Sequence, residues 1–350
     1  MRMVRVPNTE LNVSEITFGT GIFAKLMVFG ETKDQTETVE RAIELGINHF
    51  DTSPAYGAGA SEVNLGRALR GRRDMVVTTK TPVTPEAVLT KTVAQWFRRS
   101  VEASLLRLQR DVIDILLLHS VLQFTRAFER PSMAHISMND YWGDGGVLEA
   151  ADKLRQEGKV RYFGVAAHEN DPRITKAVAA SGTITVMNQQ FNLVNPSAGF
   201  PVAGTGPSQH YSADISGRGE YDQASRYIDF DNVIPFAGSL GIGTLVTSPL
   251  GAGVLADKLH EDPEPAYSNP TQTARWRIAH RFHPIAQRHG MPLAELAYRF
   301  VLSTPHVVSA IGGFSNKSQV EELAGYAAHG PLSPEVIHDL CRVWTDGHQD

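Results

Sequence analysis

The chain has 350 residues, of which 42% are hydrophobic and 20% are charged, a balance typical of a soluble globular protein and not of a disordered one. Its formal net charge of −5 and the lack of a long basic run give no indication of nucleic acid or an anionic membrane as a partner. Cys341 is the single cysteine, which excludes an intramolecular disulfide and fits a reducing compartment, so we expect the cytoplasm; no stretch approaches the ~18 apolar residues of a membrane span.

The first predicted element is a two-stranded hairpin in the segment MVRVPNTELNV, with its turn at residues 7–9. Eight β-rich runs follow, and a segment with helical spacing comes after each of them. The runs cover residues 15–19, 47–50, 75–80, 112–119, 160–165, 183–188, 242–247 and 307–311. Runs such as DILLL are continuously apolar, which is typical of parallel strands covered on both faces.

The segments between the runs predict helices. Two of them have clear apolar faces, made of Phe97, Val101, Leu105 and Leu108, and of Val147, Ala150, Ala151 and Leu154. Asp171 before Pro172 predicts a helix start, and Gly290 predicts a helix end. Because strands and helices alternate eight times without a break in composition, the sequence favours a (β/α)8 TIM barrel over an open doubly wound sheet. We expect residues 1–350 to form this single α/β domain.

Two long connections depart from the simple alternation. They cover residues 120–146 and 195–230, and in a barrel they lie on the C-terminal face. Connections of this length in a compact domain are usually lids or binding loops, although a tolerated surface insertion is the alternative. Phe23, Tyr141 and Trp142 are predicted on loops that overhang the pocket, where aromatic faces suit sugar rings or flat carbonyl compounds. Simple packing of the loops is the alternative for these three residues.

Four polar residues stand at or just after the ends of neighbouring predicted strands. Asp51 follows INHF, Tyr56 lies in the next loop, Lys80 ends MVVTTK and His119 ends DILLLH. In a parallel barrel the C-terminal ends of the strands gather around one hollow, so these side chains are expected to converge. Each has an ordinary alternative, since such residues are more often caps, surface groups or buried hydrogen-bonded side chains.

The four residue types make chemical sense together. A phenol has an ordinary pKa of about 10, and a nearby ammonium stabilises phenolate and draws the pKa down. Lys80 can supply that charge, Asp51 can hold Lys80 by an ion pair, and His119 can orient a carbonyl oxygen next to Tyr56. The four residues do not form a metal-ligand set, and they include no covalent nucleophile. A reduction at this site would therefore need a bound hydride carrier.

These four residues match the pattern of the aldo-keto reductase family, and the chain resembles that family over nearly its whole length. The shared segments are GINHFDTSPAYGAGASEVNLGRAL, SVEASLLRLQRDVIDILLLH, LRQEGKVRYFGV, SPLGAGVL and SAIGGFSNKSQVEEL, together with the strand ends at Lys80 and His119. The resemblance implies a (β/α)8 barrel that binds NADP(H), or NAD(H), without a Rossmann fold and transfers hydride to or from an aldehyde, ketone or sugar. GINHFDTSP and GFSNKSQVEEL are most similar to the L-galactose dehydrogenase and aldose dehydrogenase branch.

The resemblance also implies roles for individual residues. Tyr56 would be the general acid or base, Lys80 and Asp51 would tune it, and His119 would orient the carbonyl group. Contacts with the cofactor would come from Gly19, Thr20, Asn188, Ser248, Leu250, Gly253, Gly313, Ser315, Lys317 and Gln319. Lys317 could meet a 2′-phosphate, which favours NADP(H), although a solvated lysine at a helix start is the alternative.

The chain departs from the family pattern around the implied nicotinamide site. Ala166 and Ala167 replace a Ser-Asn pair, Asn188 replaces a glutamine, Thr247 replaces an aromatic residue and Leu323 replaces an asparagine. His168 and Gln189 are candidates to compensate for these changes.

Two other classes of function compete with a carbonyl-reducing or sugar-oxidising enzyme. The first is a regulatory or interaction protein of the same fold with little turnover, which the altered nicotinamide site suggests. The second is a metal-dependent hydrolase, because a barrel alone fixes no function. A hydrolase needs paired histidines at a strand end, whereas His280 and His283 lie in a predicted helix, so no metal is expected. The sequence predicts no oligomeric state.

Overall fold

Residues 1–14 form an antiparallel hairpin in the computed structural model, which describes residues 1–200, 229–257 and 270–346. Its strands are β1 (Met3–Arg5) and β2 (Asn12–Ser14), with Met3 opposite Ser14. Val6, Leu11 and Val13 are buried in one cluster with apolar side chains of the barrel interior. The predicted hairpin is therefore confirmed, and it closes the N-terminal end of the barrel.

Eight parallel strands form a closed barrel. They are β3 (Ile16–Gly19), β4 (His49–Asp51), β5 (Val76–Thr81), β6 (Ile113–Leu118), β10 (Val160–Ala166), β11 (Val186–Gln190), β12 (Gly243–Thr247) and β13 (Val307–Gly313). Their order around the barrel follows the chain, and β13 pairs with β3 to close it. Each strand lies on one of the eight predicted runs, so the (β/α)8 barrel is confirmed.

Helices surround the barrel. They are α1 (Leu26–Phe29), α2 (Thr32–Glu44), α3 (Ala60–Ala68), α4 (Pro85–Leu89), α5 (Val93–Leu108), α6 (Met138–Trp142), α7 (Val147–Gln156), α8 (Pro172–Ala180), α9 (Val233–Ser239), α10 (Pro270–His280), α11 (His283–Arg288), α12 (Leu293–Ser303), α13 (Lys317–Ala328) and α14 (Pro334–Asp346). The predicted apolar faces of α5 and α7 are buried in the core. Asp171 caps α8 by accepting the backbone N–H of Arg173 at 2.9 Å. Among the described helices, none has the length and hydrophobicity needed to cross a membrane.

The connection at 120–146 contains regular structure instead of an open loop. A small sheet is formed by β7 (Val121–Leu122), β8 (Ala127–Arg130) and β9 (Met133–Ile136), with β9 in the middle, and α6 follows it. Strands of two to four residues are too short to show a periodic signal, which explains why the sequence did not predict them. Of the second predicted connection, 195–230, residues 201–228 lie outside the described residues.

The strand period of two arranges polar residues in layers inside the barrel. On β4, His49 lies one layer below Asp51, and on β5, Thr78 lies one layer below Lys80. Apolar side chains such as Leu245 fill the layer next to the hairpin. The charged side chains of Asp51 and Lys80 therefore lie at the C-terminal end of this interior, above an uncharged polar layer and an apolar one.

Gly164 lies where β10 closely approaches its neighbouring strands β11 and β6. A Cβ atom at this position would collide with the carbonyl oxygen of Val186 and lie 2.9 Å from Leu117 Cδ2. We expect Gly164→Ala to lower the free energy of unfolding by roughly 1–3 kcal/mol, because backbone must move to admit the methyl group. Urea denaturation followed by circular dichroism measures the change.

Gly325 on α13 is the matched control, because a Cβ atom there would meet nothing within 4 Å. Gly325→Ala should raise the free energy of unfolding by about 0.5–1 kcal/mol, since alanine is the better helix former. Equal effects of the two substitutions would contradict the close approach of β10 and β11.

Candidate active site

The predicted residues Asp51, Lys80 and Tyr56 meet at the C-terminal end of β4 and β5. Lys80 Nζ donates to Asp51 Oδ1 at 2.5 Å and to the carbonyl oxygen of Thr52 at 2.9 Å. It also lies 3.3 Å from the hydroxyl oxygen of Tyr56. Lys80 and Asp51 are almost fully buried, so water cannot replace these contacts. An ammonium removed from water in this way requires the carboxylate beside it.

A network of buried hydroxyl groups holds the loop that carries Tyr56. Ser61 Oγ on α3 donates to Thr20 at 2.6 Å and lies 3.0 Å from Thr52 Oγ1. Thr20 in turn donates its hydroxyl and its backbone N–H to the carbonyl oxygen of Asp51, each at 2.9 Å. The end of β3, the end of β4 and the start of α3 are therefore joined, and Tyr56 lies in the loop between the last two.

A second buried contact joins α3 to β5 next to Lys80. Glu62 is fully buried and accepts the hydroxyl of Thr79 at 2.6 Å. Its other oxygen accepts Arg107 Nε on α5, also at 2.6 Å. Because Thr79 precedes Lys80, this contact fixes the strand that carries the ammonium against the helix that follows Tyr56.

His119 completes the predicted set of four. It directly follows β6, and its ring lies edge-on to the ring of Tyr56, with the ring centres 6.3 Å apart. Its Nδ1 atom is 3.1 Å from Ser53 Oγ in the loop after β4. The structure therefore brings all four predicted side chains into one cluster, contributed by β4, β5, β6 and the loop after β4.

The environment of the cluster shifts its titration. Burial lowers the pKa of Lys80, but Asp51 and Tyr56 outweigh burial and raise the pKa overall. Burial raises the pKa of the Asp51 carboxyl, and Lys80 opposes that shift. The pKa of His119 is held well below its ordinary value by burial and then by the charge of Lys80, so its ring is neutral.

The pKa of Tyr56 differs from the sequence-based expectation. Burial raises its pKa above the ordinary value, while Lys80 lowers it and Asp51 raises it further. The expected effect of Lys80 is therefore present but smaller than the effect of burial, which removes solvent from the phenolate. The phenol of Tyr56 is therefore protonated at neutral pH and can act as a proton donor.

An uncharged polar layer lies directly beneath the ion pair. His49 Nδ1 is 2.8 Å from Thr17 Oγ1, and His49 Nε2 is 2.7 Å from Thr78 Oγ1. Burial, and then the charge of Lys80, lowers the pKa of His49 to about 3. Both ring nitrogens thus have hydroxyl partners, which keeps the ring neutral without leaving a buried polar atom unpaired.

The residues expected to contact a cofactor follow neighbouring strands. Gly19 at the end of β3 is paired with Asp51 on one side and with Gly313 on the other. A Cβ atom at Gly19 would lie 2.6 Å from Ile311 Cγ2, so only glycine allows this close approach. Thr20 lies directly next to Asp51 in the network described above. Ser248 follows β12, the strand next to β13.

Residues 248–253 form a tight turn after β12. Ser248 and Gly253 have positive φ angles of 54° and 94°, and Leu250 accepts the backbone N–H of Gly253 at 2.9 Å. A Cβ atom at Gly253 would meet no atom within 4 Å, so its backbone faces open space. The turn therefore offers exposed backbone beside β13.

The start of α13 is tied together by side chains. Ser315 N–H donates to Gln319 Oε1 at 2.7 Å, and Asn316 Oδ1 caps the helix by accepting the N–H of Gln319 at 3.1 Å. Lys317 begins the helix and is exposed. Ser315, Lys317 and Gln319 thus share one short surface. Asn316 was not singled out from the sequence, although an asparagine before a helical pattern is a recognisable cap signal.

Four of the substituted positions, Ala166, Ala167, Asn188 and Thr247, lie on or directly after β10, β11 and β12, and the fifth, Leu323, is buried on α13. Asn188 is buried and donates to the carbonyl oxygen of Leu245 at 3.1 Å, while Ala166 and Ala167 are buried and small. Gln189, a candidate to compensate, has its Oε1 atom buried without a hydrogen-bond partner. In His168, the other candidate, the Nδ1 atom is also buried without a hydrogen-bond partner. Its ring centre lies 6.3 Å from that of His119.

The three aromatic residues expected over the pocket have different environments. Phe23 is 96% exposed and Trp142 is 40% exposed, so both are accessible from solvent. Tyr141 is fully buried, and its hydroxyl lies 3.0 Å from Thr183 Oγ1 before β11, towards the N-terminal end of that strand. The prediction for Tyr141 was therefore wrong, because α6 turns this side chain into the core.

Sequence reasoning also missed two groups near the cluster. Ser53, the partner of His119, follows Asp51 by two residues and gave no signal as a lone serine. The ion pair between Arg130 and Glu169 joins β8 to the loop after β10, and only the folded structure brings these distant residues together. The predicted helical position of His280 and His283 is confirmed, and the described residues contain no group of three or more metal-ligating side chains.

Comparisons with known proteins agree with this architecture. The sequence profile described as "Aldo/keto reductase family" matches residues 15–200 and 219–345. The L-galactose dehydrogenase of Arabidopsis thaliana is 29% identical over 90% of this chain and 84% of its own length. A probable voltage-gated potassium channel subunit beta of the same plant is 25% identical over 97% of this chain and 95% of its own length. The solved holo form of an aldo-keto reductase from Bacillus halodurans has a TM-score of 0.69 at 22% identity and covers 98% of this chain and 96% of its own.

The low pKa of His49 makes a prediction for stability. Between its unfolded value of 6.5 and the folded value of about 3, only the unfolded chain binds this proton. His49 therefore stabilises the fold above pH 6.5 and weakens it as the pH falls towards 3, by up to about 1.4 kcal/mol per pH unit. We expect His49→Gln, which removes this titration, to flatten the dependence of unfolding free energy on pH in that range.

Urea denaturation at a series of pH values measures the slopes for the wild-type and variant proteins. The exposed His338, changed to Gln, is the matched control and should leave the wild-type slope in place. A His49→Gln protein with the full wild-type slope would show that His49 does not carry the effect.

Proposed function

Since the chain belongs to the aldo/keto reductase family, a family of oxidoreductases, we propose that it transfers hydride between a nicotinamide dinucleotide and the carbonyl or alcohol group of an aldehyde, ketone or sugar. The observation that carries the proposal is the contact between Tyr56, Lys80 and Asp51 beside the His119 ring. These groups can move a proton and orient an oxygen atom, which are the tasks that the protein must perform in such a reaction.

Tyr56 is the proposed proton donor in the direction of reduction. Its phenol is protonated at neutral pH because burial raises its pKa. When the substrate oxygen takes the proton, phenolate forms 3.3 Å from the Lys80 ammonium. The positive charge is already in place at that moment, so it stabilises the developing negative charge without reorganisation. In the oxidative direction the same phenolate accepts the proton.

Asp51 and His119 have supporting tasks. Asp51 holds Lys80 at 2.5 Å and keeps the ammonium next to the phenol. His119 is neutral, so its ring can donate one hydrogen bond to a substrate oxygen without adding a second charge beside Lys80. His119 is therefore proposed to orient the carbonyl group beside Tyr56.

The residues around the cluster fit a nicotinamide dinucleotide, which supplies the hydride when bound. Asp51 Oδ2 is buried without a hydrogen-bond partner and can accept a ligand hydroxyl. Gly253 faces open space after β12, where a phosphate can approach the backbone. Gly313 and Thr20 flank Gly19 at the same end of the barrel. Ser248, Leu250, Asn188, Ser315 and Gln319 are the other residues proposed to hold the dinucleotide.

A sugar or a related hydroxylated carbonyl compound is the proposed substrate class. The similarity to the Arabidopsis L-galactose dehydrogenase supports a sugar, since it extends over 90% of this chain. Phe23 and Trp142 are exposed aromatic residues, and the faces of such rings suit the C–H faces of sugars.

A regulatory protein with little turnover is the second candidate. The similarity to a probable potassium channel subunit beta, over 97% of this chain, favours it together with the alanines at 166 and 167. Titration of cofactor fluorescence followed by a screen of aldehydes, ketones and sugars separates the two functions. Tight binding of a dinucleotide without turnover of any compound would favour the regulatory protein.

Replacement of the proposed proton donor tests the catalytic assignment. We expect Tyr56→Phe to lower kcat by about 10²- to 10⁴-fold, which is the usual contribution of a general acid. The affinity for dinucleotide should stay within about twofold, because the phenylalanine keeps the ring. Steady-state kinetics and fluorescence titration measure the two quantities.

Tyr162→Phe is the matched control. Tyr162 lies near the N-terminal end of β10, away from the site at the C-terminal ends of the strands, and its hydroxyl donates a hydrogen bond to Glu10. It should leave kcat unchanged. Wild-type turnover by the Tyr56→Phe protein would refute the role proposed for Tyr56.

Lys317 tests the preference for NADP(H), which we propose over NAD(H). Lys317→Ala should weaken NADPH binding by roughly three- to tenfold through loss of one exposed charge contact, and should leave NADH binding unchanged. Lys33→Ala, an exposed lysine on α2, is the control. Equal effects of Lys317→Ala on both dinucleotides would show that Lys317 does not meet the 2′-phosphate.

A further inference from the structure

A second cluster of polar side chains lies beside the four residues described above, and we call Arg130, His135, His168 and Glu169 the rim cluster. Arg130 Nη1 on β8 lies 3.0 Å from Glu169 Oε2 in the loop after β10. Glu169 Oε1 is 4.0 Å from His168 Nε2. His135 lies on β9, the strand paired with β8, where the charges of Arg130 and Glu169 both act on its ring.

The rim cluster continues the line of groups that begins at Tyr56. The ring centres of Tyr56 and His119 are 6.3 Å apart, and those of His119 and His168 are again 6.3 Å apart. Glu169 and Arg130 follow, with 29% and 46% of their side chains exposed. The cluster therefore extends from the proposed proton donor towards solvent.

The small sheet holds Arg130 in this position. The backbone N–H of Leu122 on β7 donates to Asn170 Oδ1 at 2.8 Å, which fastens the sheet to the loop after β10. The guanidinium of Arg173 on α8 lies 4.8 Å from the ring centre of Phe124, in the connection between β7 and β8. The segment at 120–146, expected to be a lid or binding loop, thus brings a charged side chain to the edge of the site.

Two features of the cluster restrict its ligand. Arg130 and Glu169 neutralise each other, so the cluster offers donors and acceptors without excess charge. His135 Nε2 and His168 Nδ1 are buried without a hydrogen-bond partner, and a neutral imidazole both donates and accepts. A hydroxyl group also donates and accepts, whereas a carboxylate only accepts and would be repelled by Glu169.

We propose that the rim cluster binds the hydroxyl groups of an uncharged sugar and thereby sets the substrate specificity of the site. The inference rests on the proposed function, because it assigns the distal part of the substrate whose carbonyl or alcohol group reacts at Tyr56. In the part of the chain that the structure describes, no three or more His, Cys, Asp or Glu side chains are grouped so that they could hold a metal ion.

The test compares three six-carbon compounds, each in both enantiomers where they exist: galactose, the hydroxyl-free aldehyde hexanal and the acid galacturonate. Each is assayed with NAD(H) and NADP(H), in the direction that its functional group allows. The wild-type protein should have its highest kcat/KM with galactose. Glu169→Gln should lower kcat/KM for galactose by about 10- to 100-fold, which is the usual loss for a hydrogen bond to a charged group.

The same substitution should affect the other compounds differently. It leaves Arg130 without its carboxylate partner, so kcat/KM for galacturonate should rise relative to galactose. The kcat/KM for hexanal should stay within about twofold of the wild-type value, because hexanal has no hydroxyl group that could contact Glu169. Glu40→Gln, an exposed glutamate on α2, is the matched control and should leave all three values unchanged.

Arg130→Gln is the second variant in case Glu169→Gln does not fold, and it too should reduce activity with galactose while sparing hexanal. The inference is overturned if the wild-type protein prefers hexanal or galacturonate, or if the folded variants lose galactose and hexanal activity equally. Absence of wild-type turnover with all three compounds would instead overturn the proposed function, and this inference with it.

Discussion

The buried ion pair between Lys80 and Asp51 is the interaction on which the site depends. Neither charge has water around it, so each requires the other, and their separation of 2.5 Å fixes the ends of β4 and β5 relative to each other. Burial of the two charges costs free energy, but it holds the ammonium in a position that the thermal motion of a solvated lysine would not maintain. Tyr56 receives a fixed positive charge beside its hydroxyl as a result.

The barrel supplies the surroundings that this pair needs. The hairpin and the apolar layer close one end, and the uncharged layer around His49 separates that end from the charges. At the other end Gly19 allows the close approach of β13 beside Asp51. Hydroxyl groups on Thr20 and Ser61 then join three chain segments above the pair. The proposed chemistry is thereby confined to one end of the barrel, while the opposite end contributes stability.

Much of this arrangement could be predicted from the sequence, because periodicity and strand ends are local signals. Asp51, Lys80 and His119 end their runs and therefore had to meet once the barrel closed. Tyr141 was misplaced because a five-residue helix reverses the direction of its side chain without a periodic pattern. The pairing of Arg130 with Glu169 depends on a small sheet whose strands have two to four residues, so only the tertiary structure contains that information.

The small sheet β7–β9–β8 is inserted after β6 and shares no ladder with the barrel strands. Its residues therefore take no part in the register of β4 and β5, in which Asp51 lies opposite Thr78, two residues before Lys80. Under the proposed role of the rim cluster, substitutions in this appendage change the substrate that binds and leave the residues proposed for proton transfer in place. Divergence among relatives of this chain is then expected to concentrate there, with the cylinder itself unchanged.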